Sequence, residues 1–142
     1  MHLVKNKNKN IYHPELSYEI TGIFYKVHNE LGRFKLERQY CDLFERYLNL
    51  EKYNYQRERD LKNIYKELEF SGNIPDFIIE EKIIVDFKAK KFVTKEDYFQ
   101  MMRYLEFAHL PLGMIVNFRS TYLKPQRVIN KEFHSSHSND NS

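Results

Sequence analysis

Three stretches in which apolar residues recur at three- and four-residue steps predict helices. The first begins near Pro14, which suits the opening turn of a helix, and ends at Gly32. The second covers about residues 35–50. The third follows Thr94, a residue typical of helix N-caps, and ends near His109. Each helix therefore has one apolar face with which to pack against the rest of the protein.

Shorter apolar runs, bounded by turn residues, predict strands. The predicted strands are residues 54–60, 63–70, 74–80, 82–89, 112–118 and a short last one that includes 127–129. The first two are expected to pair antiparallel, Ser71 to Asn73 to form a turn, and a tight acidic turn to join the third and fourth. The order helix, helix, strands, helix, strand predicts an α/β fold with a mixed sheet flanked by helices.

The composition of the chain indicates where the folded domain begins and ends and in which cellular compartment it resides. The chain has 142 residues, enough for one domain. Polar residues predict a flexible N-terminal segment over 1–12 and a disordered tail over 132–142, leaving a folded domain over 13–131. There is no signal peptide, no apolar stretch of about 20 residues that could span a bilayer, and a single cysteine, Cys41, that fits a reducing compartment. We therefore expect a cytoplasmic or nuclear location.

The net charge of +3 and the pI of about 8.8 are compatible with nucleic acid but do not argue for it. A domain that coats DNA is usually more basic. A domain with an acidic site in a basic groove need not be, because the two sets of charges offset each other. The net charge therefore does not distinguish between possible functions, and the motifs must do so.

The most informative segment holds two aspartates and a lysine in an otherwise apolar strand pair. Side chains alternate along residues 82–89, so Asp86 and Lys88 share a face. If the preceding turn is centred on Glu81, Asp76 lies directly across from Asp86, whereas an even-numbered loop without a bulge separates them. Facing carboxylates repel unless a cation relieves them, and their hard oxygens suit Mg²⁺ or Mn²⁺. Lys88 could then orient a water or stabilise charge on phosphorus.

Each residue also has an ordinary explanation when taken alone. Asp76 could simply begin a strand or turn, and Asp86 with Lys88 could be the solvated face of an edge strand. Together, within a pair of strands built from Ile, Val and Phe, this interpretation weakens because a charge pair there costs stability unless it is compensated. Lys90 extends the basic side, where a solvated charge is the default interpretation.

The motifs and their order resemble the PD-(D/E)xK nuclease superfamily. Pro75-Asp76, followed after a hairpin by Asp86-x-Lys88, resembles the signature of that superfamily. On the third helix, Gln100 and Tyr104 resemble the Gln-x-x-x-Tyr element of RecB-like nucleases, and they lie one turn apart on the same side. The likeness covers most of the chain, from about residue 16 to 130.

The N-terminal part is similar to a smaller family named for a Gly-x-x-Glu-x-x-Tyr motif. Glu37 and Tyr40 match the glutamate and the tyrosine of this motif. Phe34 stands where the motif has its first glycine, whereas Gly32 is retained two positions earlier. Taken alone, Glu37 is an ordinary surface residue, so its interest comes from this resemblance.

The resemblance implies a restriction-endonuclease-like core, a DNA substrate, and Mg²⁺ or Mn²⁺ as cofactor. The catalytic set that it implies is Glu37, Asp76, Asp86 and Lys88. Asp76 and Asp86 would be metal ligands, with Glu37 a further carboxylate that reaches the metal directly or through water. Gln100 and Tyr104 are implied to contact substrate or to support Lys88, and Lys90, which extends the basic side, is a further candidate for contact with substrate phosphates.

Two functions stay open at this point. The first is a metal-dependent nuclease that hydrolyses phosphodiester bonds in DNA, favoured by the complete Asp, Asp and Lys set. The second is a non-catalytic protein of the same fold that binds nucleic acid or a protein partner within a larger complex, favoured mildly by the lack of a strong basic patch. With one domain, specificity would need a homodimer or a protein partner. An interaction domain without any site would require the motif match to be chance.

Overall fold

The computed structural model of the chain describes residues 12–64 and 74–133, and within these ranges five strands form one sheet with helices on both faces. The helices are α1 (Pro14–Leu31), α2 (Glu37–Leu50), α3 (Glu58–Ile64) and α4 (Lys95–Ala108). The strands are β1 (Tyr55–Arg57), β2 (Phe77–Ile79), β3 (Ile83–Lys88), β4 (Leu112–Asn117) and β5 (Gln126–Ile129). Predictions that fall on residues 1–11, 65–73 and 134–142 lie outside the described residues.

The sheet has the order β1-β2-β3-β4-β5 and mixes both kinds of strand pairing. β3 and β4 are parallel, while every other neighbouring pair is antiparallel. α4 makes the crossover between the two parallel strands, as a parallel pair requires. The prediction of a mixed α/β sheet flanked by helices is confirmed.

Alternation along the central strands divides the core into two layers. Ile83, Val85 and Phe87 pack with α1 and α2 in a cluster that is rich in phenylalanine. Ile84, from the opposite face of β3, packs with α4, α3 and β5. Asp86 and Lys88 follow Ile84 at two-residue steps, so both belong to the face that α4 covers.

The β2–β3 hairpin has the register that the two aspartates require. Ile79 pairs with Ile83, which leaves Glu80, Glu81 and Lys82 as a three-residue loop centred on Glu81. Glu80 and Glu81 both have left-handed φ values, of 54° and 55°. Glu80 is secured by its bonds to Asn54, whose O accepts from the Glu80 N–H and whose N–H donates to the Glu80 carboxylate.

The predicted antiparallel pair of residues 54–60 and 63–70 is wrong in the part that the structure describes. β1 is only three residues long and pairs with β2, and residues 58–64 are helical. The Asp60 carboxylate accepts from the Arg57 backbone N–H at 3.0 Å, which turns the chain into α3. Leu61 is then fully buried between the sheet and α4, so tertiary packing decides in favour of the helix.

The helix ends agree with the sequence. Thr94 and Asp97 form a reciprocal capping box at the start of α4, and His109 ends that helix in the left-handed conformation. Gly32, with φ of 76°, ends α1. Among the described residues, no helix combines the length and the apolar character that crossing a membrane requires.

Candidate active site

Asp76 and Asp86 meet where the pairing of β2 and β3 ends. The register that pairs Phe77 with Val85 sets Asp76 opposite Asp86. The Asp76 backbone N–H donates to Oδ1 of Asp86 over 3.3 Å, and the Phe87 N–H donates to Oδ2 of Asp76 over 2.7 Å. Asp86 is only 6% exposed. The structure therefore brings together the two residues that the sequence predicted as metal ligands.

Burial and repulsion disfavour the charged form of this pair. Burial, and then the negative charge of Asp86, raise the pKa of Asp76 well above its usual range. Burial also raises the pKa of Asp86, although the nearby Lys88 opposes the rise. The positive charge near the two carboxyls is therefore not enough to keep both of them ionised.

Lys88 lies beside Asp86 and is held by α4. Its Nζ is 2.9 Å from Oδ2 of Asp86 and donates to Oε1 of Gln100 over 3.3 Å. It also lies 3.8 Å from Oδ1 of Asp97. Burial alone would lower the pKa of Lys88, but the attraction of Asp86 outweighs it and the pKa is raised. Lys88 is therefore a charged, positioned group in contact with Gln100, and the supporting role of Gln100 stays a prediction.

Asp97 is a member of this cluster that sequence reasoning missed. Its Oδ2 lies 2.6 Å from Nζ of Lys90 and accepts from the Thr94 N–H over 2.8 Å. Burial would raise the pKa of Asp97, but the hydrogen bonds from Lys90 and Thr94 lower it. A first-turn acid is usually explained by the helix dipole. The available signal was the spacing of residues 97, 100 and 104, which lie on one side of a helix.

Tyr104 and Lys90 come from different parts of the chain, Tyr104 from α4 and Lys90 from the loop that follows β3. Tyr104 is 4% exposed and packs in the apolar layer with Ile84. Its burial, and then the negative charges of Asp86 and Asp76, raise its pKa, so the phenol stays protonated. The Lys90 backbone is fixed by Asn117, whose Nδ2 donates to Lys90 O over 2.7 Å. Lys90 therefore reaches Asp97 from a defined loop.

Glu37 approaches the end of β3 from the other side of the sheet. Burial raises its pKa, and the opposing influences include the positive charge of Lys88 and a hydrogen bond from the Ala89 backbone N–H. The loop before Glu37 is fixed by Tyr40, whose hydroxyl donates to Gly32 O over 2.6 Å and accepts from the Lys35 N–H. The Tyr40 ring stacks on Phe118 with centroids 4.2 Å apart. Tyr40 thus positions the segment that carries Glu37.

A cleft of about 520 Å³ opens next to Asp76 and Glu37. Its walls carry three arginines, Arg38, Arg57 and Arg59. Arg57 and Arg59 are fixed by Glu45, at 2.8 Å and 2.5 Å respectively. This arrangement gives the cleft an acidic end and a cationic wall. This cleft was not predicted, because its residues come from separate parts of the chain, α2 and the β1–α3 segment.

The donor set fits a hard divalent cation. Mg²⁺ is commonly held by one or two carboxylates, with waters and substrate phosphate oxygens completing its octahedron. Asp76 and Asp86 provide such a pair, and a cation would supply the positive charge that their raised pKa values indicate is missing. Within residues 12–64 and 74–133, no group of three or more His, Cys, Asp or Glu side chains is arranged to hold a metal. The role of Glu37 as a ligand therefore stays a prediction.

Comparison with known proteins gives one family. The model of the PD-(D/E)XK nuclease superfamily matches residues 14–130 of the chain. The match extends from the start of α1 to just beyond β5 and includes the whole cluster described above. No match was found among curated proteins or among solved structures.

Proposed function

Because the chain belongs to the PD-(D/E)XK nuclease superfamily, we propose that it is a Mg²⁺- or Mn²⁺-dependent nuclease that hydrolyses phosphodiester bonds in DNA. The restriction-endonuclease-like fold agrees with this family. The observation that carries the proposal is the contact between Asp76 and Asp86 with Lys88 at 2.9 Å from the second of them. An acidic pair beside a fixed ammonium group suits phosphoryl transfer to water.

In this proposal Asp76 and Asp86 hold the cation and Glu37 adds a further carboxylate. The bound cation would polarise a phosphoryl oxygen and make the attacking water more acidic. Asp76 is kept in position by the Phe87 N–H, so its carboxylate needs little rearrangement. The low exposure of Asp86 strengthens its electrostatic interactions, because little water screens them.

Lys88 is proposed to orient the attacking water or to stabilise the charge that develops on phosphorus. Gln100 and Asp97 support this role by holding Nζ on the side of α4. Lys90 is proposed to contact substrate phosphates, and its pairing with Asp97 keeps it near the site. Tyr104 supports the apolar base of the site.

The cleft beside Asp76 is proposed as the path of a DNA strand. Arg38 and Arg59 are exposed, so both can meet backbone phosphates. Arg57 is largely covered by its ion pairs with Asp42 and Glu45, which makes it a support for the cleft wall. Phosphate contacts of this kind position a nucleic acid without reading its sequence. A homodimer or a protein partner would then be needed for sequence specificity.

At a finer level, we assign the chain to the Gly-x-x-Glu-x-x-Tyr group within the superfamily, as an inference from Glu37 and Tyr40. The bonds of Tyr40 to both ends of the α1–α2 loop support this assignment, because they give the motif tyrosine a reason to accompany the glutamate. Glu37→Gln is then expected to reduce cleavage while leaving the thermal transition unchanged. Cleavage by Glu37→Gln at the rate of wild type would contradict the role assigned to Glu37.

The test is cleavage of labelled linear and circular DNA in Mg²⁺ or Mn²⁺, with EDTA as the blank. Wild type is compared with Asp86→Asn and Lys88→Met, both expected to lose cleavage. Matched controls come from the other end of the same hairpin, where Glu81→Gln and Lys82→Met change exposed residues. At about 3.3 Å per residue along β3, Lys82 lies roughly 20 Å from Lys88. Cleavage that survives in the two site variants would refute the proposal.

Absence of cleavage by folded wild type would favour the non-catalytic alternative. Such a protein would bind DNA with a steep salt dependence in EDTA, because its affinity would come from phosphate contacts alone. The same labelled DNA, followed by fluorescence anisotropy over a salt series, separates these cases. Oligomeric state, measured by light scattering with and without DNA, tests whether the chain acts as a dimer.

A further inference from the structure

An exposed phenylalanine borders the candidate active site, at the position where the resembling motif has glycine. Phe34 is 72% exposed, although it lies in the loop that Tyr40 fixes. A phenylalanine ring in this position contributes little to folding, because most of its surface stays in water. Single exposed apolar residues are common and carry no function on their own. The neighbours of Phe34 are what distinguish it.

Two arginines lie over the Phe34 ring. The guanidinium carbon of Arg33 is 4.8 Å from the ring centroid, and that of Arg119 is 5.5 Å from it. Both distances are within the range of cation–π attraction. Nε of Arg33 donates to Arg119 O over 2.8 Å, which holds the two arginines together. With 72% of Phe34 exposed, most of the ring surface stays accessible beside the two guanidinium groups.

A short chain of contacts joins this cluster to the catalytic end of β3. Arg119 donates from Nη2 to the backbone O of Ala89, at 3.4 Å. The backbone N–H of Ala89 donates a hydrogen bond to the Glu37 carboxylate. Ala89 follows Lys88 directly. These contacts connect the Phe34 cluster to the end of β3 that carries Lys88, so nucleotides that flank the cleaved phosphate can pass over the ring.

We propose that Phe34, with Arg33 and Arg119, is a stacking platform for an unpaired base of the substrate strand. A base in an intact duplex has both faces covered by its neighbours, so only a single-stranded, terminal or displaced base can use the ring. The two guanidinium groups suit the phosphates on either side of that base. This inference rests on the proposed function and narrows its substrate to DNA with single-stranded character.

The absence of tryptophan from the chain allows a direct test. Phe34→Trp supplies a single tryptophan whose emission is quenched when a base stacks on it, and Tyr18→Trp is the matched control. Tyr18 is also exposed, at 81%, but it lies in the first half of α1. With a rise of about 1.5 Å per residue, it is roughly 20 Å from the end of α1 that leads to Phe34. Quenching by oligothymidylate is expected for Phe34→Trp alone.

Affinity provides the second measurement. Binding of an oligothymidylate of about 16 nucleotides, long enough for a typical single-strand site, is followed by anisotropy in EDTA so that cleavage cannot interfere. Phe34→Ala and Phe34→Leu are expected to weaken binding about tenfold, whereas Phe34→Trp keeps it. Binding of a relaxed, covalently closed circular duplex, which has no terminal base, should change less than twofold. The leucine variant separates loss of the aromatic face from loss of apolar bulk.

Equal affinity of wild type and Phe34→Ala for oligothymidylate would overturn the platform, as would unquenched Phe34→Trp in a saturated complex. An oligouridylate that binds much more tightly than oligothymidylate would overturn the assignment to DNA. These outcomes are independent of catalysis. If the protein cleaves DNA with metal but substitutions of Phe34 have no effect on binding, the proposed function holds and the platform is refuted. If a base stacks on the ring but no DNA is cleaved, the platform holds and the proposed function is refuted.

Discussion

Replacement of Asp76 by asparagine is expected to stabilise the metal-free protein while it abolishes cleavage. In wild type, two carboxylates face each other at the end of the β2–β3 pairing, and the nearest cation, Lys88, lies on the side of Asp86. Asparagine keeps an oxygen that can accept from the Phe87 N–H, as Asp76 does over 2.7 Å. Its amide N–H₂ can donate to the carboxylate of Asp86. The change therefore converts a repulsion into an attraction without altering size.

The magnitude can be bounded in two ways. Two unit charges about 4 Å apart repel by about 4 kcal/mol when the effective dielectric constant is about 20. Alternatively, Asp76 can take up a proton, which relieves the repulsion. Because pH 7 lies roughly three units above the usual pKa of an aspartate, protonation at this pH costs about 4 kcal/mol. The Phe87 hydrogen bond and the Lys88 charge compensate part of this cost. We therefore expect a gain of about 1–3 kcal/mol, or about 3–9 °C in the melting temperature.

The assay is thermal and urea unfolding of both proteins in EDTA over a range of pH. The raised pKa of Asp76 means that the folded state binds its proton more tightly than the unfolded chain does. The penalty in wild type is therefore complete above the raised pKa and disappears as the pH falls through its usual value. Accordingly, the advantage of Asp76→Asn should shrink on acidification. Asp97→Asn is the control, since the pKa of Asp97 is lowered and its loss should destabilise the protein.

Addition of Mg²⁺ or Mn²⁺ supplies the complementary result. A cation that binds only the folded state raises its stability by mass action. Wild type should gain stability, and Asp76→Asn should gain little, because one ligand is missing. An Asp76→Asn protein that is less stable than wild type in EDTA at neutral pH would refute the reasoning. It would mean that Lys88 and the local hydrogen bonds already neutralise the pair.

Three further predictions concern the fold around the site. Burial acts to raise the pKa of Glu45, but hydrogen bonds from Arg59 and its neighbours outweigh it and lower the pKa to about 2. Wild type should therefore lose stability as the pH falls from about 4.5 to 2. In urea unfolding at neutral pH, Glu45→Gln should be about 1–2 kcal/mol less stable than wild type. A Cβ on Gly113 would meet only the side chain of Met101, which is flexible enough to move aside, so Gly113→Ala should cost about 1 kcal/mol or less, and a loss above about 3 kcal/mol would contradict this reasoning. Tyr40→Phe removes two hydrogen bonds of the α1–α2 loop and should cost about 1–2 kcal/mol while also lowering cleavage; unchanged cleavage would separate the loop from the site.

The central hairpin and α4 were predictable because local rules agree with the tertiary structure there. Alternation along β3 put Asp86 and Lys88 on one face, and the structure has the turn centred on Glu81, which is the alternative that sets Asp76 opposite Asp86. Thr94 specified the start of α4 through its capping box. In the region of α3, local signals were weak, and the burial of Leu61 against α4 decided the conformation. Such a contact joins elements that are distant in the chain, so composition and periodicity do not reveal it.

The same division holds within the site. Asp86 and Lys88 are two residues apart on one strand, so their shared face follows from the geometry of β structure. Asp97 was harder to recognise, because an acid in the first turn of a helix satisfies the helix dipole whether or not it also meets a lysine. Its contact with Lys90 depends on the loop that Asn117 fixes, on a strand further along the chain. Residues whose role depends on two distant elements were the ones that sequence reasoning missed.

The charge balance of the cluster indicates how its parts depend on one another. Four carboxyls, from Glu37, Asp76, Asp86 and Asp97, surround two ammonium groups, from Lys88 and Lys90. When all are ionised the sum is −2, which a divalent cation neutralises and which repels a phosphate otherwise. In the proposed function, contacts outside the carboxylate pair would hold a strand when no cation is bound. The exposed arginines of the cleft and the Phe34 cluster are suited to this role, and for this reason their contribution is best measured in EDTA.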